Sequence, residues 1–233
     1  MTGLGTIINV GAILVGGAIG LAGKRALPER ATSAVLQVMG LFTAVIGLRM
    51  LWPGQALISA LASLVVGGLI GEWLRIEDRL QQWSERILGR FKQAGGSPAE
   101  GFLAAGLLFC VGPMAILGSV SDGLSQDYGV LATKAMLDGI ASIPLAATLG
   151  VGVLLSSVPV LVYQGLMTLG AMYVQPWLRG PVLTDLNTTG GILVLAIGLS
   201  IAGIKRFRVA NLLPALPVQV ILSTLLAVSG RMF

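Results

Sequence analysis

Lys134 and Asp138 stand four residues apart in the stretch ATKAMLDGIASIP, inside a run otherwise apolar enough for hydrocarbon. At helical spacing the two share one face and can pair. Asp138 is about nine residues into the run, roughly 13 Å deep at about 1.5 Å per residue. That is close to the middle of a hydrocarbon layer about 30 Å thick. An ionised group there costs about 2.5–3.5 kcal/mol on insertion scales, so the pair must face protein. Two readings follow. The pair is a salt bridge that lets its helix insert, or it is exchangeable, with a solute or ion competing for one partner. In the second, Asp138 carries a proton or cation, and Lys134 is its counter-ion or the holder of an anion.

A second stretch, FCVGPMAILGSVSDGL (109–124), poses a related question. Pro113 has no amide hydrogen and its ring clashes with the preceding turn; Gly112 weakens the helix further. Carbonyls near Phe109 and Cys110 then need partners from neighbouring helices, water or a ligand. Broken helices bind ions and solutes this way, although proline kinks are ordinary in spanning helices. Asp122 and Asp127 follow, in a segment without Lys or Arg. Such a segment attracts cations or is a solvated turn. Asn9 and Asn187 lie at similar depth in other apolar runs. Asn187 belongs to DLNTTGG (185–191), which also reads as a helix start with an Asp or Asn cap. Gln164 reads as interhelical glue. Arg49 and Glu72 sit near run ends, where snorkelling suffices.

The elements that hold these residues are helices in lipid. The 233 residues are 55% hydrophobic and 11% charged, with mean hydropathy +0.89. Too little polar material remains to coat a water-soluble globule. Runs at 4–23, 33–52, 55–74, 101–120, 130–153, 157–176, 184–204 and 211–230 are long enough to span. The expected architecture is an all-α polytopic bundle of about eight spans, one broken at Gly112-Pro113. Seven spans plus a re-entrant piece is the alternative. Eleven basic residues, from Lys24 to Arg208, fall on one side if spans alternate, against Arg49, Arg179 and Arg231 on the other. The positive-inside rule puts the eleven in the cytoplasm and both termini outside. Residues 75–92 carry Ile76, Leu80, Trp83, Ile87, Leu88 and Phe91 at helical spacing between charges, which predicts a cytoplasmic amphipathic helix. Residues 93–100 link two halves of one membrane domain, 1–233. ILVGGAIG (13–20) is echoed by LVVGGLIG (64–71), and AIGL recurs at 18–21 and 196–199. Glycine-rich faces suit close packing between spans or between subunits of a homo-oligomer.

Chemistry of other kinds is poorly supplied. Without histidine there is no His-based metal centre or triad, and Cys110 alone forms no intramolecular disulfide. No nucleophile motif, phosphate loop or metal-spaced carboxylate pair is present, so no enzyme, metal or cofactor is expected. The basic loops read as topology and anionic-lipid contact rather than nucleic-acid binding. Residues 1–22 lack a basic start, so no cleavable signal is expected.

The stretches LLFCVGPMAILGSVSDGL, TKAMLDGI, LVYQG (161–165), GGILVLAIGL (190–199) and VANLLPAL (209–216) resemble domain-of-unknown-function family 554, as does the opening INVGAILVGGAIGLAGK. The resemblance implies a bacterial inner-membrane protein. It singles out Asn9, Cys110, Gly112, Asp122, Lys134, Asp138, Gln164 and Asn211. The combined expectation is a secondary transporter or permease for a small solute or ion. Its site is lined by Asn9, Asp122, Lys134, Asp138 and Asn187, with backbone at Cys110, Gly112 and Pro113. A channel, or a scaffold or sensor acting through 75–92, are the rivals.

Overall fold

The computed structural model describes residues 2–24, 29–51, 57–88, 98–110, 113–174 and 180–228. Twelve α-helices and a 3-10 turn make up the described chain, which contains no strand. They are α1 (Leu4–Lys24), α2 (Glu29–Leu51), α3 (Leu57–Leu74), α4 (Ile76–Leu88), α5 (Pro98–Cys110) and α6 (Pro113–Ser125). Then come α7 (Gly129–Leu149), α8 (Gly152–Leu155), α9 (Ser157–Leu169), α10 (Ala171–Val174), α11 (Gly180–Ile201), the 3-10 turn Val209–Leu212 and α12 (Ala215–Val228). Helices are the only open-ended elements that satisfy their own backbone in lipid. Among the described residues seven helical segments are long and apolar enough to span, or eight if α5 and α6 together count as one. A belt of exposed apolar side chains on several helices, including Val38, Phe42, Ile58, Leu69 and Ile140, is the surface such a bundle turns to acyl chains.

The fourth expected span is broken: α5 ends at Cys110, α6 opens at Pro113, and the two axes differ by 58°. Gly112 and most of the 93–100 linker lie outside the described residues, as do Phe91 and Lys92. Two boundaries differ from the sequence reading. The helix carrying DLNTTGG begins at Gly180, so Asp185 and Asn187 are interior residues and cap nothing. The last span is preceded by the 3-10 turn, because Pro214 cannot donate within a continuous helix.

Glycines set the pairings. Along α1 and α7, Gly5 meets Leu131, Gly16 meets Gly139, and Gly20 meets Ile143, so these two helices run parallel. Along α2 and α11, Gly40 meets Ala202 and Gly47 meets Gly191, so these run antiparallel. Gly67 and Gly71 of α3 lie against Ala215 and Asn211, again antiparallel. The echoed glycine pairs 16/20 and 67/71 thus do the same job, each admitting another helix's backbone. These directions also bring Arg30, Arg75, Arg79, Lys205, Arg206 and Arg208 to one end of the bundle.

At that end α4 is moored to the segment before α12. The chain leaves α3 through Arg75, held at φ 49°. Arg208 pairs with Glu72 at 3.1 Å and reaches Asp78 at 3.8 Å. Asn211 Nδ2 donates to Glu72 Oε2 at 2.6 Å, and its Oδ1 accepts from the Glu77 amide at 2.8 Å. The Ala210 amide donates to Glu77 Oε2 at 3.3 Å. Glu72 therefore does more than snorkel. Burial pushes the Glu77 carboxyl above its ordinary range, against the Ala210 amide and the Arg206 and Arg208 charges, which pull it down. A raised value means the fold disfavours the ionised form. The group's contribution is present at low pH and lost as pH rises through the folded value. Glu77→Gln keeps an acceptor for Ala210 and removes that burden. Its melting temperature should equal or exceed the parent's at pH 8, with the gap closing toward pH 4. Asn211→Ala removes two hydrogen bonds, one of them to a carboxylate. It should cost about 1–3 kcal/mol at any pH in that range, read by thermal unfolding.

Candidate functional site

Helix α7 has two unlike faces. Leu131, Lys134, Ala135, Asp138, Ser142 and Leu145 are buried, while Met136, Leu137 and Ile140 are exposed. Lys134 and Asp138 are only 6% and 7% exposed, so both charges face protein, as the depth argument requires. Lys134 Nζ donates to Asp138 Oδ2. The same ammonium sits 5.9 Å from the centroid of the Phe109 ring, a cation–π contact inside the bundle. Phe109 is fully buried one residue before α5 stops, so the end of that helix supplies the ring.

Two carboxamides complete the cluster. Asn9, fully buried on α1, lies beside the Asp138 carboxylate and donates through Nδ2 to Gln164 Oε1 at 3.3 Å. Gln164 belongs to α9 and is also fully buried. Asn9 Oδ1 and Gln164 Nε2 have no hydrogen-bond partner, one acceptor and one donor left over. A buried polar atom without a partner costs about 1–3 kcal/mol. The site therefore offers a cation, an anion and a spare donor and acceptor, all buried within the bundle.

Beside it lies a cavity of about 810 Å³ between α5, α9, α11 and α12, within the range of small-molecule pockets. Its walls are mostly apolar, and Cys110, Tyr163, Tyr173 and Asn187 bring the polar side-chain atoms. Cys110 is half-buried and within electrostatic reach of Lys134 and Asp138. The cavity thus approaches the charged cluster at the end of α5.

The sequence-expected residues divide. Asn9, Cys110, Lys134 and Asp138 come together. Asp122 is fully buried on α6 and accepts from the Gly5 amide at 3.2 Å, nearer the end where α1 and α7 begin. Asp127 is exposed and accepts from the Gly129 amide at 2.9 Å, an ordinary turn contact before α7. Asn187 stands apart from the charged pair, donating to the Met50 carbonyl at 3.1 Å and lining the cavity. Pro113 opens α6. The sequence gives no role to the side chains of Phe109 or Tyr163; it marks Gln164 as interhelical glue and, through the family resemblance, as a position of interest. A lone amide in an apolar run was the available signal for Gln164.

A separate polar chain joins α3, α11 and α12. Thr189 donates to Gln219 Oε1 at 3.1 Å, and Gln219 Nε2 donates to Ser59 and Ser223 at 3.1 and 2.8 Å. Ser223 donates to Asp185 at 2.7 Å. Each of these groups meets another side chain of the network, which identifies it as interhelical bonding.

The family described as "Protein of unknown function (DUF554)" matches residues 4–224. The uncharacterized membrane protein YdfK of Bacillus subtilis (strain 168) is 35% identical over 216 residues, covering 91% of this chain and 92% of that protein. The uncharacterized protein YqgA of Escherichia coli (strain K12) is 31% identical over 218 residues, covering 91% and 93%. No solved structure matches the chain.

Proposed function

The chain belongs to the DUF554 family of proteins of unknown function and is a multi-pass membrane protein, and on that footing we propose that it is a secondary transporter. It moves a small charged solute or ion through the Lys134–Asp138 site. The observation that carries the reading is the buried pair flanked by unpartnered amide atoms of Asn9 and Gln164. A pair needed only for insertion would gain from saturating those atoms, because lipid offers no replacement. A solute carrying opposite or single charge can instead displace one partner and take the spare donor and acceptor. Asp138 then carries the exchanged proton or cation, and Lys134 holds the counter-charge. The end of α5 sets Phe109 against Lys134 and Cys110 at the cavity wall, giving the site an apolar flank.

The membrane is a bacterial inner membrane, with the basic end of the bundle in the cytoplasm, by the charge bias of the loops. The scaffold reading through residues 75–92 has less in its favour. Glu77 and Asp78 of α4 are already engaged with Arg208, Ala210 and Asn211 of the same chain.

The test is a thermal-shift screen of the detergent-purified chain against inorganic cations, carboxylates and amino acids, since a specific binder stabilises by mass action. Flux of each binder is then measured in proteoliposomes. Saturable flux in the parent, absent in Asp138→Asn, is the expected result. Flux of a binder that persists unchanged in Asp138→Asn would show that the pair is structural.

A further inference from the structure

We propose a second site, for a dehydrated alkali-metal cation, centred on Asp122 where α1, α6 and α9 meet. It stands whether or not the Lys134–Asp138 cluster carries a solute. Asp122 is fully buried, and its Oδ2 accepts one hydrogen bond, from the Gly5 amide in the first turn of α1. Its Oδ1 has no partner. A carboxylate out of water with one of its two oxygens unpartnered calls for a positive charge or further donors.

Three hydroxyls stand near it by their place on these packed helices. Ser119 is one turn before Asp122 on the same face of α6. Thr6 follows Gly5 on α1. Thr168 belongs to α9, whose backbone touches α6 at the adjacent Gly123. Ser119, Thr6 and Thr168 are at most 3% exposed, and none of their hydroxyls has a hydrogen-bond partner. The three helices pack against one another pairwise. Six of the eight buried side-chain atoms without a partner among the described residues belong to these helices: those of Thr6, Asn9, Ser119, Asp122, Gln164 and Thr168.

The protein's own habit sharpens the contrast. A hydroxyl in a helix with nothing else to bind usually donates to the carbonyl a turn back. Thr133, Thr148, Ser156, Thr188, Ser200 and Thr224 all do so here. Thr6, Ser119 and Thr168 do not, which leaves their oxygens free as acceptors; among the described residues Thr43 on α2 is the one other buried hydroxyl without a partner.

Ligand type and charge select the ion. Carboxylate and hydroxyl oxygens are hard donors, which suit alkali and alkaline-earth ions. A single carboxylate balances a single positive charge, and no group of three acidic, Cys or His side chains able to hold a metal exists among the described residues. The neighbouring cluster is within one turn: Asn9 lies three residues from Thr6, and Gln164 four residues from Thr168. An ion that draws α1, α6 and α9 together at Asp122 therefore acts on two of the helices that hold the Asn9–Gln164 contact.

The experiment measures melting of the purified chain in NaCl, KCl or choline chloride at constant ionic strength. Sodium or potassium is expected to raise the melting temperature saturably above choline. Asp122→Asn is expected to abolish the increment, and Thr168→Val or Ser119→Ala to weaken the ion's midpoint about tenfold each. Equal melting in all three salts would overturn the site, as would an increment retained in Asp122→Asn. If that variant does not fold, midpoints unchanged in both Thr168→Val and Ser119→Ala overturn it.

Discussion

Lys134→Met alone should be among the most damaging single changes in this protein. It leaves the Asp138 carboxylate 7% exposed with its cation gone. Breaking a buried pair from one side costs about 3–5 kcal/mol, because the surviving charge has no compensation. Lys134→Met also removes the cation over the Phe109 ring. The matched double variant, Lys134→Met with Asp138→Leu, should recover most of that stability, since replacing a whole buried pair by apolar groups is often neutral. Transport should be lost in both. Thermal unfolding of the purified proteins, with flux in parallel, separates the two roles. If the double variant melted as low as the single one, the pair would not be the source of the loss.

A comparably large loss is expected from Gly20→Leu. A Cβ at Gly20 would overlap the Ile143 carbonyl oxygen and stand 3.1 Å from the Ala146 methyl. The first obstacle is backbone, which cannot rotate aside, so α1 and α7 must separate. Overpacking typically costs about 1–3 kcal/mol, and more where backbone must shift. Here it also pulls Asn9 away from Asp138, so the polar cluster opens with the interface. The monodisperse peak on size-exclusion chromatography should shrink or vanish. Gly11→Ala, where added atoms meet nothing within 4 Å, is the control. It should be neutral or slightly stabilising through helix propensity. Equal behaviour of Gly20→Leu and Gly11→Ala would mean that α1 and α7 are not held by close backbone contact.

What the sequence disclosed was governed by cost. Charges in hydrocarbon are expensive, so Lys134 and Asp138 announced an interior face, and the structure puts both there. The weak backbone at Gly112-Pro113 announced the break. Glycine spacing announced close packing, but it did not say which helix would fill each groove. A spanning helix is apolar on every side, so hydropathy alone does not tell a lipid-facing leucine from a buried one. For that reason the parallel match of α1 with α7 was not legible, and neither was the separation of Asn187 from Lys134. Hydroxyls were the least informative. Thr6 and Thr224 look alike in sequence, yet one back-bonds to its helix and the other does not. Only the neighbours decide that difference.

The parallel pairing of α1 with α7 has a consequence for biogenesis. More than a hundred residues separate the end of one helix from the start of the other. At roughly 5–20 residues per second, the N-terminal helix emerges about 5–20 s before its partner is translated. During that interval Asn9 has neither Asp138 nor Gln164 to meet. The nascent chain must keep α1 at the insertion machinery or lend it an interim companion, and assembly of the polar centre belongs to the late stage of synthesis.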